Sequence, residues 1–360
     1  MPINRERLVN TLIELVQIDS PSGQEAQIAR ELARRLQALD MTVTVDAAGN
    51  VLACWEAEGP YLLLSAHMDT VPGVGIRPIL HEGVIRSDGT TVLGSDDKSG
   101  IAVILEVLTL LHEQGRHPAL QVAFSVREEV GLLGAKAIDP AWLRAREALV
   151  FDSGGPLHMV VHGAPGSDKI TAVVHGKAAH AGANPEEGIN AIQIAAQAIA
   201  EMPIGRIDEE TTANIGLIKG GQAVNIVPER VEIHGETRSH DAVKLATQTR
   251  AICTALEQAV AAHPGAWLEL EVERIYSSYR LPPDTPLLQR IAQTLAEMGE
   301  PEVTLRLGGG GSDANVFNAL GLTAVPISTG MNNAHTNDEY LVVDDMVKSA
   351  EFLWRVIARA

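Results

Sequence analysis

Cysteine is nearly missing from this 360-residue sequence: Cys54 and Cys253 stand far apart and outside any CxxC spacing. Two such residues exclude a disulfide framework and a cysteine-held zinc, and they make a reducing, cytoplasmic setting the expectation. Basic residues are also scarce, with 28 Lys and Arg against 46 Asp and Glu, for a formal net charge of −18. So acidic a surface repels phosphate backbones and anionic lipid, so nucleic-acid and membrane partners are not expected. No apolar run reaches the roughly 20 residues that cross a bilayer. The opening MPINRERLVNTLIELV is charged from the start and lacks the cleavage site of a signal peptide, so it reads as an amphipathic helix. No GxGxxG follows the first buried strand, which excludes a dinucleotide-binding reading. What remains is ordinary globular composition, 46% hydrophobic, at a length where two domains are expected.

The first half alternates helical and strand patterns. Leu8, Leu12, Leu15 and Val16 recur at helical spacing, and Ser22 with Glu25 forms a capping-box signature ahead of Ile28, Leu32, Leu36 and Leu39. Three short apolar runs, at 62–64, 120–126 and 148–151, read as strands buried on both faces, the form parallel strands take. An Ile-, Val- and Leu-rich helix at 99–114 lies between the first two. From Lys169 the order becomes βαββαβ, the split arrangement of ferredoxin-like domains, and after Pro282-Pro283 the helix–strand alternation resumes. The expected fold is therefore α/β. A doubly wound, mostly parallel sheet domain spans 1–168 and 283–360, and a ferredoxin-like domain is inserted at 169–282.

Unusual polar residues gather in a few short segments, each expected just after a buried strand, the edge where open α/β sheets bind ligands. They are 66–70 with His67 and Asp69, 94–98 with Asp96, 127–131 with Glu128 and Glu129, 151–153 with Asp152, and 333–336 with His335. Singly, each has an ordinary reading: a hydrogen-bonded His, a helix-capping Asp, a solvated strand end. Together they bring two His and several carboxylates to one sheet edge without enough basic residues nearby to neutralise them. Packed carboxylates repel unless a cation holds them, and this nitrogen and oxygen set suits Zn²⁺, Mn²⁺ or Co²⁺. His67 and Asp69, two apart on an extended segment, project to one side, so Asp69 can hydrogen-bond the distal ring nitrogen of His67. Of the adjacent Glu128 and Glu129, one can bind metal while the other accepts a proton from water. The stretch Gly308–Gly311 before Ser312 and Asp313 lacks the GK[ST] of a phosphate loop, and its glycines allow close approach of a ligand.

In combination these segments resemble the M20 family of dinuclear metallopeptidases, and within it the peptidase T (aminotripeptidase) and peptidase-T-like group, over essentially the whole chain. The resemblance implies two divalent ions, zinc foremost with manganese or cobalt as alternatives. Asp96 would bridge them, His67 and Asp152 completing one ion's ligands and Glu129 and His335 the other's. It implies Glu128 as general base and Asp69 as the residue that orients His67. The inserted domain becomes a lid and dimerisation domain. Its segment 176–182 looks like the one whose histidine, here His180, stabilises the oxyanion, often from the partner subunit. Asn225 and Arg238 resemble the pair that holds a substrate carboxylate, and the loop with Gly310 and Ser312 lines the substrate pocket. The group's pattern has an Arg directly before Gly-Gly-Thr-Asp, where this chain has Gly309. The implied protein is a cytoplasmic, homodimeric, tripeptidase-like exopeptidase that hydrolyses short peptides. An N-acyl amino acid amidohydrolase of the same fold is the alternative. An inactive binding protein of that fold is disfavoured by the intact ligand set and Glu128.

Overall fold

The three short apolar runs become the centre of a six-stranded sheet in the order Thr42–Val45, Val51–Trp55, Leu120–Ser125, Leu62–His67, Glu147–Ser153, Thr323–Ser328. In this computed structural model, which describes residues 3–358, that sheet belongs to one unit, Met1–Ala164 with Arg280–Ala360, and Pro165–Tyr279 forms a second. The last four strands of the order run parallel, and the first two join antiparallel at one edge. Every residue of Leu62–His67 and of Leu120–Ser125 is buried, as apolar runs without alternation require. The Ser95–Glu113 helix lies against Leu62–His67 and Glu147–Ser153 and is buried along almost its whole length. It packs so closely that a Cβ at Gly100 would stand 2.3 Å from the Phe151 carbonyl oxygen. The Arg5–Val16 and Val343–Ala358 helices pack on it in turn.

The antiparallel hairpin of Thr42–Val45 and Val51–Trp55 is an addition to the expected pattern. The expected capping box is not formed. Glu25 sits at the N-cap of Ala26–Gln37 without a side-chain cap. Ser22 Oγ instead donates to Asp69 (2.6 Å), and Glu25 accepts from the amides of Gly23 and Arg127. Tertiary partners outcompete the local ones because Asp69 and the 127 loop are themselves buried polar groups in need of partners.

The second unit contains, in order, Gly166–His175, Ala191–Glu201, Thr211–Gly220, Arg230–Ser239, Ala242–Ala261 and Trp267–Tyr276, with a two-residue strand at Gly205–Arg206. Its antiparallel sheet places the four long strands in the spatial order 2-3-1-4, the ferredoxin-like arrangement. The alternating Ile170, Ala172 and Val174 face a core shared with Ile194, Ala198, Ile252 and Leu256 of the two helices. No helix among the described residues is long and apolar enough to cross a membrane.

Candidate metal centre

Strand ends deliver most of the site. His67 closes the Leu62–His67 strand, Glu128 and Glu129 follow Leu120–Ser125, and Asp152 lies at the end of Glu147–Ser153. Asp96 arrives differently. It does not follow a strand of the main sheet but opens the Ser95–Glu113 helix, beyond the short Val84–Arg86 strand of a separate four-stranded sheet. His335 lies in the loop after Met331–Asn332 with φ +66°, and Arg127 and Asn333 also occupy the left-handed region, at +51° and +53°. Non-glycine residues rarely sit there, and here they flank the candidate ligands.

Asp96 stands at the centre. One carboxylate oxygen lies 3.2 Å from His67 Nε2 and the other 3.2 Å from His335 Nε2. Asp152 approaches the same His67 nitrogen at 3.9 Å, and Glu129 lies 2.9 Å from His335. Two groups of possible ligands result, His67–Asp96–Asp152 and Asp96–Glu129–His335, each with its donor atoms within 4.8 Å of one another and with Asp96 common to both. Glu128 belongs to a third such group, with His67 and Glu129.

The His67 ring is fixed by main chain more than by carboxylate. Its Nδ1 lies 2.9 Å from the Asp69 carbonyl oxygen and 3.6 Å from the Asp69 carboxylate. That carboxylate is occupied elsewhere: Oδ1 accepts from the Glu128 amide at 2.9 Å, and Oδ2 from the Glu129 amide at 3.3 Å as well as from Ser22. Asp69 thereby shapes the turn that carries both glutamates.

The electrostatics call for a cation. Asp69, Asp96, Asp97, Glu128, Glu129, Asp152 and Asp313 crowd this region, and among the described residues none pairs with a Lys or Arg. Burial pushes Glu128 well above the usual carboxylate range, with Asp152, Asp313 and Glu129 adding to it and His67 opposing. Burial does the same to Asp152 and, with the Asp152 charge, to Asp97, while it lifts Asp313 to about 6. His335, hydrogen-bonded to Asp96 and Glu129, is raised to about 10. A divalent ion would let the acids ionise and would take the imidazole lone pairs, so the donor set fits such ions.

Glu339 is the residue that sequence reasoning missed. Its buried carboxylate accepts from the amides of Leu93 (2.8 Å), Gly94 (2.9 Å) and Asp96 (3.1 Å) and from Ser95 Oγ (2.6 Å). Its only advance signal is its place four residues after His335. Asp313, flagged only as the end of the glycine loop, is buried, accepts from Ser125 Oγ through Oδ2, and leaves Oδ1 without a partner. Ser312 caps the Asp313–Ala319 helix in a capping box with Asn315, and Gly310 is exposed.

In the second unit His180 and Asn225 are brought together: the Ala181 amide donates to the Asn225 carbonyl at 3.0 Å, and His180 bridges to Ile226. His180 Nδ1 accepts from the amides of Gly182 (3.1 Å) and Ala183 (3.0 Å). The neutral ring therefore carries its proton on Nε2. Arg238, half-buried on Arg230–Ser239, donates to Glu236 at 3.0 Å.

Comparison with known proteins shows the family. The chain is 38% identical to the uncharacterized protein YqjE of Bacillus subtilis, over 99% of each chain. It is 26% identical to a peptidase T of Brevibacillus brevis, over 98% of each. Among solved structures, the aminopeptidase PepT of Bacillus cereus superposes with a TM-score of 0.87 at 38% identity, covering 99% of both chains. A tripeptidase of Staphylococcus aureus gives 0.93 at 36% identity, covering 100% of both. Residues 63–359 match Peptidase family M20/M25/M40; the chain belongs to that family, in its peptidase-T-like group.

Proposed function

We propose that this chain is a two-metal exopeptidase of short peptides, tripeptides foremost, with zinc as the expected ion and manganese or cobalt as substitutes. The observation that carries the reading is the central place of Asp96, one oxygen toward each histidine-bearing group. His67 and Asp152 would hold one ion with Asp96, and Glu129 and His335 the other. Ions bound there would polarise the scissile carbonyl and lower the pKa of a shared water. Glu128 makes no side-chain hydrogen bond among the described residues. Its carboxylate would take the water's proton and deliver it to the leaving amine. Asp69 would act by holding the Glu128 and Glu129 amides. His180, with its proton on Nε2, has the donor that an oxyanion needs, and Asn225 and Arg238 would meet the substrate's terminal carboxylate. The Gly310–Ser312 loop would line the pocket.

The same reading takes the second unit as a lid through which the chain forms a homodimer. Support comes from its exposed Leu217, Ile218 and Val224. A cytoplasmic setting accords with two cysteines that are both free. The test is hydrolysis by the metal-loaded protein of di- and tripeptides against N-acetyl amino acids. Cleavage of the peptides supports the reading; cleavage of the N-acetyl compounds alone overturns it in favour of a deacylase.

A further inference from the structure

Several arginines of the larger unit lie against a glutamate, Arg7, Arg35, Arg144, Arg290 and Arg355 among them. Arg306 is set apart by a buried Nε beside a cavity. It lies on Thr304–Leu307 and forms no ion pair among the described residues. One terminal nitrogen, Nη2, donates to Ser153 Oγ at 3.3 Å and to the Gly154 carbonyl at 3.0 Å, which fixes the plane of the group. Its Nε–H is buried without an acceptor among the described residues. An arginine cannot shed its proton, so an unpaired guanidinium in so acidic a chain has to find its counter-charge elsewhere.

The space beside it shows where. Arg306 lines a cavity of about 330 Å³ walled by Gly154–Pro156 on one side and 331–334 on the other. The first wall begins two residues after Asp152, and the second ends one residue before His335. The cavity therefore adjoins both chain segments that bring those candidate ligands to the metal centre. Met159 and Met331 supply apolar surface, and Asn332 and Asn333 supply polar groups. A small recess of mixed polarity with one fixed cation suits an acidic side chain of a bound peptide.

We propose that Arg306 forms a carboxylate-binding subsite of the substrate cleft, which takes an acidic side chain of the peptide and leaves its terminal carboxylate to Asn225 and Arg238. The proposal deepens the peptidase reading and rests on it. Arg306 acts in binding, so its effect falls on KM more than on kcat.

The test uses the metal-loaded full-length protein and two substrate pairs: a tripeptide with its C-terminal amide, and a Glu-containing tripeptide with its Gln counterpart. The wild type is expected to lose on the order of 10–100-fold in kcat/KM when the recognised carboxylate is neutralised, the range of a hydrogen bond to a charged group. The loss that depends on Arg306 is expected in the Glu/Gln pair, and the amide pair reports the separate contact to the terminal carboxylate. Arg306→Gln should abolish that discrimination, mainly through KM, and Arg306→Lys should restore part of it, with metal content and melting temperature unchanged. Equal rates within the Glu/Gln pair for the wild type overturn the subsite without recourse to any variant. So does discrimination that survives in Arg306→Gln. Failure to hydrolyse any peptide overturns the peptidase reading, and the subsite falls with it.

Discussion

Glu339 Oε1 accepts the backbone N–H of Asp96 at 3.1 Å, while its Oε2 accepts the amides of Leu93 and Gly94. One buried carboxylate thus holds the loop that presents the central candidate ligand, and it does so from the loop that carries His335. The two ligand-bearing segments lie more than 200 residues apart in sequence and are locked by a single side chain. Glu339→Gln should uncouple them, because the new amide nitrogen would face N–H donors instead of accepting from them. Metal affinity is expected to fall about 10–100-fold, the scale for a residue that supports ligands without touching the ion. Chelator competition titrations measure it, and unchanged affinity in a folded variant would remove Glu339 from this role.

Glu128 is expected to separate binding from turnover. Glu128→Gln keeps the size and position of the side chain and leaves all five proposed ligands untouched, but it removes the proton acceptor. Metal content should remain at the wild-type level while kcat drops by roughly 10²–10⁴-fold. Elemental analysis alongside steady-state kinetics reports both; full turnover in this variant would place the proton with another group.

Removal of metal should weaken the fold as well as the activity. The cluster of unpaired acids repels itself when no cation is bound. Ligand linkage of about 2–3 kcal/mol at saturating metal corresponds to a melting shift of roughly 3–4 °C for a chain of this size. Because Asp96 is common to both ligand groups, Asp96→Ala should lose both ions, whereas His335→Ala should lose one. Retention of two ions by Asp96→Ala would show that Asp96 is not the bridge.

Gly100 offers a test of how tightly the helix is seated. Its missing Cβ would meet the Phe151 carbonyl at 2.3 Å and the Asp97 carboxylate at 2.5 Å, neither of which can withdraw without moving the segments that carry Asp96 and Asp152. Gly100→Ala should therefore destabilise the protein by about 1–3 kcal/mol despite alanine's better helix propensity. Denaturant unfolding would show the loss, and a neutral or stabilising effect would mean that the helix can shift at little cost.

Much of the site could be read from the sequence because strand ends and catalytic chemistry coincide there. His67, Glu129 and Asp152 follow apolar runs that can only be buried strands, and their polarity at that position stands out. Glu339 carries no such mark: it directly follows the polar stretch Thr336–Asn337–Asp338, and only the folded chain shows that its carboxylate turns inward. Ser22 and Glu25 mislead for the opposite reason. They match a local helix-capping pattern, but Ser22 turns to Asp69 and Glu25 to the amides of Gly23 and Arg127. The Thr42–Val45 strand has the Thr-Val alternation of a half-buried strand, a signal that four residues make weak.

Asp69 ties the glutamate turn, Ser22 and His67 together. Its carboxylate accepts the amides of Glu128 and Glu129 and the hydroxyl of Ser22, and its carbonyl meets the His67 ring. In Asp69→Asn the carbonyl contact with His67 survives, because it belongs to the main chain, but one side-chain oxygen becomes an N–H₂ group facing a donor. If Asp69 acts by shaping the glutamate turn, activity should fall at least tenfold through kcat while metal is retained, since a displaced general base costs rate directly. Ser22→Ala, which removes only the outer hydroxyl, should lower kcat in the same direction by a few-fold. Should Asp69→Asn instead lose metal with kcat preserved on reloading, its principal role would lie with His67.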